Sequence, residues 1–256
     1  EARSAAEEVE YANGPADSPM GRLRASNGHP EPYGVEWWSI GNEMYGWWQL
    51  GNMALDDYVI KHNIFARAMR RVDPTIKLFA AGAAPDETTV THISSRVTRT
   101  LKTAYDSPAD FTGGLLRNCL DNIDFLSEHF YCYAGQAWDL AKNDFVPIEQ
   151  TVTEFIRRVP DRVRCKAEAY EEYLKRVPGL AERKIPMMID EWNYGDLRPF
   201  SLKGALSLAA GLHEMFRYTD RFAGAAYTMG TSCMARTPHE SVLQTNGLVF
   251  KLYRRN

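Results

Sequence analysis

Five short apolar runs, near residues 35–40, 76–82, 123–131, 185–189 and 222–228, alternate along the chain with segments of helical periodicity. Runs that are apolar at every position, instead of every second one, suit strands buried on both faces. Their alternation with helices, and the lack of a meander of short β-segments, predict a parallel α/β architecture. Over 55–72 the residues Leu55, Tyr58, Val59, His62, Phe65, Ala66, Met69 and Val72 share one helical face, so His62 reads as a hydrogen-bonded packing residue. Further helical patterns cover 90–105, 115–120, 147–177 with an interruption at Pro160, and 202–218. In the last of these, Leu202, Ala205, Leu206, Ala209, Leu212, Met215 and Phe216 are expected to face inward. Residues 1–13 are helical up to Asn13-Gly14-Pro15, residues 14–34 read as a loop carrying Arg22, Arg24, Asn27, His29 and Glu31, and residues 242–253 return toward the body.

Two of the five runs end in an acid dressed with aromatic residues. Trp38-Ser39-Ile40-Gly41-Asn42-Glu43 is followed by Met44-Tyr45-Gly46-Trp47-Trp48, and Ile189-Asp190-Glu191 by Trp192-Asn193-Tyr194-Gly195. A carboxyl at a strand tip inside an apolar loop is poorly solvated, so Glu43 is expected to hold its proton unusually well. Two such glutamates, 148 positions apart, fit a paired-carboxylate site on the loop face of an α/β barrel. Trp48 and Trp192 offer flat faces against which sugar rings stack.

Composition narrows the partners. A chain of 256 residues with 45% hydrophobic and 25% charged residues can bury the core of one large domain. A net charge of −3 without a basic stripe excludes nucleic acid as an expected partner. No stretch approaches the ~18 consecutive apolar residues of a membrane span. Cys119, Cys132, Cys165 and Cys233 lack paired or metal-type spacing, and Glu128-His129, Cys132 and His239-Glu240 form no ligand set, so neither disulfide nor metal is expected. No phosphate loop or dinucleotide fingerprint follows a strand, and no cofactor is implied. Nothing resembles a signal peptide, which leaves a cytoplasmic or secreted location equally open, and a homo-oligomer is compatible with the sequence.

Val9-Glu10-Tyr11-Ala12-Asn13-Gly14, Gly28-His29-Pro30-Glu31-Pro32-Tyr33 and Trp38-Ser39-Ile40-Gly41-Asn42-Glu43 together resemble the α-L-arabinofuranosidases of glycoside hydrolase family 51. Glu128-His129-Phe130-Tyr131 resembles that family's strand-six segment, and Ile189-Asp190-Glu191-Trp192-Asn193 its nucleophile strand. The resemblance implies a (β/α)8 TIM barrel in which the five runs are strands four to eight. Residues 1–256 would then be a partial barrel domain, without the first three strands or the C-terminal β-sandwich. It implies Glu43 as general acid/base and Glu191 as nucleophile of a retaining hydrolase acting on arabinose-containing oligo- or polysaccharides. Asn42 corresponds to the amide that holds the sugar 2-hydroxyl, Tyr131 to the tyrosine beside the nucleophile, and Gln244 to a glutamine that contacts arabinose. Tyr131 and Asn42 are the expected donors to Glu191, with His129 as a hydrogen-bonding scaffold. The same two glutamates also occur in endo-glucanases and xylosidases of the clan, and a barrel without its first strands is compatible with sugar binding alone.

Overall fold

The computed structural model describes residues 1–84, 104–108, 110–133, 135–139, 144–195, 201–228 and 233–255. Its centre is a five-stranded, wholly parallel sheet: β1 (Trp37–Ile40), β2 (Lys77–Ala81), β3 (Phe125–Tyr133), β6 (Met187–Gly195) and β7 (Phe222–Tyr227), side by side in chain order. Between these strands run α3 (Leu55–Val72), α4 (Phe111–Cys119), the long α5 (Val152–Arg176), the short α6 (Leu180–Arg183) and α7 (Leu202–Arg217). Helices α1 (Ala2–Asn13) and α2 (Pro19–Ser26) precede the sheet, and α8 (Thr245–Arg255) follows it. The expected parallel α/β architecture is therefore observed. No described helix is long and apolar enough to cross a membrane, and the four cysteines form no disulfide.

The main core lies between one face of the sheet and α3, α4, α5 and α7, with Leu126, Phe130, Met187, Ile189, Trp192 and Tyr194 contributed by the strands. Tyr58 of α3 clamps the carboxyl ends of the first two strands. Its hydroxyl donates to Ile40 O at 2.5 Å and accepts from Ala81 N at 3.0 Å. Arg70, in the last turn of α3 where a cation complements the helix dipole, pairs with Asp124 at 2.7 Å, and Asp124 accepts from Leu78 N at 2.8 Å. His62 is fully buried with Nε2 3.2 Å from Asn122 O, and burial lowers its pKa to about 4, as befits a neutral packing residue.

Several expectations are corrected. The first strand is not buried on both faces. Among the described residues β1 is the sheet edge, paired with β2, and Trp37 stays 52% exposed although its ring touches Phe79 and Phe125. The 14–34 segment holds a helix, α2, started by Ser18, whose side chain accepts from Gly21 N, with Pro19 at the first position. Arg24 on that helix is buried and donates to Tyr11 O, His29 O and Pro30 O, so it ties α1 to the loop and lines no cleft. Leu202, Leu206 and Phe216 point outward, Leu202 at 71% exposure, because the buried stripe of α7 runs through Ala205, Leu208, Leu212 and Met215. Two antiparallel hairpins interrupt the α/β pattern: β4 (Gln136–Asp139) with β5 (Asp144–Pro147), and β8 (Met234–Arg236) with β9 (Ser241–Leu243). The helix expected at 90–105 lies almost wholly outside the described residues.

Pro160 does not interrupt α5. A proline inside a helix leaves the carbonyl four residues earlier without its donor. Here that carbonyl, Ile156 O, accepts from Ser207 Oγ of α7 at 2.8 Å. The two helices can approach this closely because Gly211 sits on Val159, whose Cγ1 lies 2.3 Å from where a Cβ would be. Ser207→Ala is therefore expected to cost about 1–3 kcal/mol in urea unfolding. In a Pro160→Ala background, where the backbone N–H returns, the same change is expected to cost markedly less.

Candidate active site

The site forms just past the end of β1 and beside the middle of β3 and β6. Behind it, β3 alternates: Glu128, Phe130 and Cys132 face the helices, while Ser127, His129 and Tyr131 face the other side. In β6 the alternation breaks. Ser127 is opposite Met188 and His129 opposite Glu191, so two residues of β3 span three of β6. The same happens against β7, where Ile189 faces Ala225 and Trp192 faces Tyr227. β6 thus carries a bulge at this point, with one surplus residue relative to β3; against β7 the same surplus offsets an opposite shift between Met187 and Met188. Met187 and Ile189 pack into the helix-side core before it, and Trp192 and Tyr194 after it. Asp190 and Glu191 consequently share the opposite face, beside His129.

Glu43 arrives from the loop after β1. Gly41 at φ +83° turns the chain, and Glu43 itself is left-handed at φ +46°, a conformation that costs a non-glycine residue energy and concentrates at functional sites. Its carboxylate is buried and surrounded by donors. His129 Nδ1 lies 3.0 Å from Oε1, while Trp48 Nε1 donates to Oε2 at 2.5 Å and Gln49 Nε2 at 3.1 Å. His129 Nδ1 is also 3.6 Å from Glu191 Oε2, and Tyr131 OH donates to Glu191 Oε1. The nearest ligand atoms of Glu43, His129 and Glu191 all lie within 4.8 Å of one another.

The charges explain the protonation states. Burial opposes a charged His129 ring, but the adjacent Asp190, Glu43 and Glu191 outweigh it and raise the imidazole to about 9. Burial alone would raise Glu43; the His129, Trp48 and Gln49 donors overcome it and hold the carboxyl below its ordinary value. This corrects the expectation that Glu43 retains its proton unusually well in the unliganded site. The Trp-rich loop does bury the acid, yet its polar edges stabilise the anion. Burial and the Glu191 acceptor push the Tyr131 hydroxyl up, so it remains a donor. Three atoms this close would also suit a cation, but a protonated imidazole has no lone pair to offer one.

The structure brings Glu43, Glu191, Tyr131 and Trp48 together, Trp48 as a donor to Glu43. It does not bring in the other candidates. Asn42 is exposed and is not a donor to Glu191 among the described residues, because the turn at Gly41 carries its side chain outward. Trp192 is 1% exposed, packed on Phe130 and Tyr227 with its ring in the helix-side core, so it is no sugar platform. Gln244 sits half-buried where β9 passes into α8, and its backbone N–H bonds Cys233 O; its side chain takes no part in the Glu43 network among the described residues. Sequence reasoning missed Gln49 and Asp190. Gln49 was visible only as a polar residue six places past the acid, and Asp190 was hidden by the bulge.

One consequence concerns stability. His129 has a folded-state pKa of about 9 against an ordinary 6.5, so its contribution is complete below about 6.5 and disappears as pH rises toward 9. The melting temperature of the parent is expected to fall across that window more than that of His129→Gln, followed by circular dichroism.

The chain is similar to known proteins in sequence and in fold. The family model described as "Alpha-L-arabinofuranosidase 1 domain" matches residues 1–122. An intracellular exo-α-(1→5)-L-arabinofuranosidase of Acetivibrio thermocellus is 31% identical over 187 residues, covering 72% of this chain and 31% of the relative. One from Halalkalibacterium halodurans is 29% identical over 185 residues, with the same two coverages. Among solved structures, the α-L-arabinofuranosidase of Thermotoga maritima in complex with arabinose superposes with a TM-score of 0.77 at 24% identity, covering 98% of this chain and 46% of that one. The chain therefore spans about a third of the length of the curated relatives it matches. In its matched domain and its relatives the chain is similar to α-L-arabinofuranosidases, and its fold is that of solved α-L-arabinofuranosidases of glycoside hydrolase family 51.

Proposed function

We propose that the protein is a retaining glycoside hydrolase that releases terminal, non-reducing α-L-arabinofuranosyl residues from arabinose-containing oligo- and polysaccharides. The observation that carries this reading is the closeness of the two glutamates, whose oxygens lie within 4.8 Å and share one imidazole edge. Retaining enzymes need carboxyls ~5–5.5 Å apart, because one attacks the sugar directly, whereas inverting enzymes leave room for water between them. The five parallel strands in chain order are read as strands four to eight of a (β/α)8 barrel, with residues 1–256 as part of one barrel domain. This reading is supported by Glu43, which follows the carboxyl end of β1 on the side where such barrels keep their chemistry.

In this mechanism Glu191 attacks the anomeric carbon while Glu43 protonates the departing oxygen. A sugar entering between them excludes water from Glu43 and pushes its carboxyl up, and the His129 Nδ1–H, 3.0 Å away, is the proton at hand. Tyr131 orients Glu191 through its hydroxyl. Once Glu191 is esterified its negative charge is gone, and Glu43 serves as base toward the incoming water. Trp48 holds Glu43 by its indole N–H. Bonds of the exo-(1→5) type named for the relatives are the first substrates to try.

Glu191→Ala is expected to lower turnover of a nitrophenyl arabinofuranoside on the order of a thousandfold or more. Azide is expected to restore part of it and yield arabinosyl azide; an unchanged rate would refute the assignment. A panel of nitrophenyl glycosides distinguishes this reading from a xylosidase or endo-glucanase. Calorimetry with arabino-oligosaccharides beside the hydrolysis assay distinguishes it from sugar binding alone.

A further inference from the structure

The mechanism above uses one edge of the His129 ring and leaves the other unexplained. Nε2 turns away from Glu43 and Glu191, toward Ser127 Oγ at 3.2 Å and Asp190 Oδ1 at 3.4 Å. Asp190 Oδ1 is buried and has no well-directed hydrogen bond among the described residues, and the ring of His129 is the cation beside it. The two partners of Nε2 differ in kind. The Ser127 hydroxyl either donates or accepts, so it suits a ring with or without a proton there. An ionised carboxylate accepts only, so Asp190 demands Nε2–H. With Glu43 accepting from the opposite edge, both ring nitrogens must carry hydrogen, which only the imidazolium satisfies.

We infer that Asp190 is a positioning residue for the acid/base step, holding the Nε2–H edge of His129 so that Nδ1–H stays charged and aimed at Glu43. Its geometry is independent of the glycosidase reading, while its catalytic consequence rests on that reading. The bulge in β6 makes the arrangement possible. Asp190 keeps its place on the inner face and Glu191 joins it there, so β6 presents one carboxyl to each edge of the same ring. The groups facing His129 are Glu43 from the loop after β1, Ser127 from its own strand, and Asp190 and Glu191 from β6, with Tyr131 on Glu191 and Tyr45 close enough to feel the acids. Among the described residues no Lys or Arg forms an ion pair with these three carboxyls, so His129 is their countercharge. The direction of its shift, upward with Asp190 the first of the causes that raise it, agrees with this role.

The test is the titration of the His129 ring nitrogens by NMR in the whole chain, without substrate. Asp190→Asn keeps the shape and removes the charge; its midpoint is expected to fall by about one pH unit or more from the parent's. Ser127→Ala removes the other partner and is expected to leave the midpoint near the parent's. A folded Asp190→Asn chain with the parent's midpoint overturns the inference, as does a fall of equal size in Ser127→Ala. Should Asp190→Asn fail to fold, Asp190→Glu, which retains the charge, is expected to keep the high midpoint, and a fall there overturns the inference as well. A parent chain that shows the shift yet turns over no arabinoside counts against the activity reading alone.

Discussion

One surplus residue in β6 decides where the acids stand. Before it, odd-numbered side chains face the helices; after it, even-numbered ones do, and the switch falls between Ile189 and Trp192. In an unbroken strand, Glu191 would point into the helix layer wherever Asp190 points out of it. The bulge is held from the core side. Trp192 must find room against Phe130 and Tyr227, and Tyr194 against Phe155 at 4.5 Å between ring centroids. Burying aromatic side chains of this size stabilises the fold by roughly 2–3 kcal/mol each, so core packing helps to hold the register that aims the acids.

Strand β3 carries charge on both faces, and this fixes the other half of the site. Inward stands His129. On the helix side, Glu128 meets Lys166 of α5 at 2.6 Å, both fully buried, with Thr112 Oγ1 and Ala84 N donating to the same carboxylate. Such a pair gains little net stability over apolar packing, but breaking it strands a charge. It therefore specifies one seating of α5 on β3. Gly82 makes the seating possible, since a Cβ there would lie 2.9 Å from Glu128 Oε1. From this seating follow the Ser207 bond that accommodates Pro160 and the close approach of α5 and α7.

The electrostatics of the site invert a simple reading of its composition. Tryptophan-rich surroundings suggested an acid that resists ionisation. In three dimensions the indole of Trp48 turns its N–H toward Glu43, and His129 sits as a cation among three carboxyls. An aromatic ring desolvates with its face and stabilises an anion with its edge, and orientation selects between them. The free site thus keeps a proton on nitrogen next to the Glu43 carboxylate.

The sequence by itself determined the parallel α/β class and the start of all five sheet strands to within two residues, although β6 runs on to Gly195, six residues past its expected end. Apolar runs and helical stripes report local burial, and glutamates at strand ends stay visible however the strands are arranged. Tertiary structure alone decided the rest: the exposure of Trp37 on an edge strand, the outward turn of Leu202, the uninterrupted course of α5 through Pro160, the burial of Trp192, and the entry of Asp190 and Gln49 into the site. Each of these depends on what a neighbouring element offers — a missing strand partner, a hydroxyl for a stranded carbonyl, a register that shifts by one. Most such partners lie tens of residues away along the chain, beyond the reach of any local pattern; Gln49, six residues from Glu43, needed the turn of the loop to reach it.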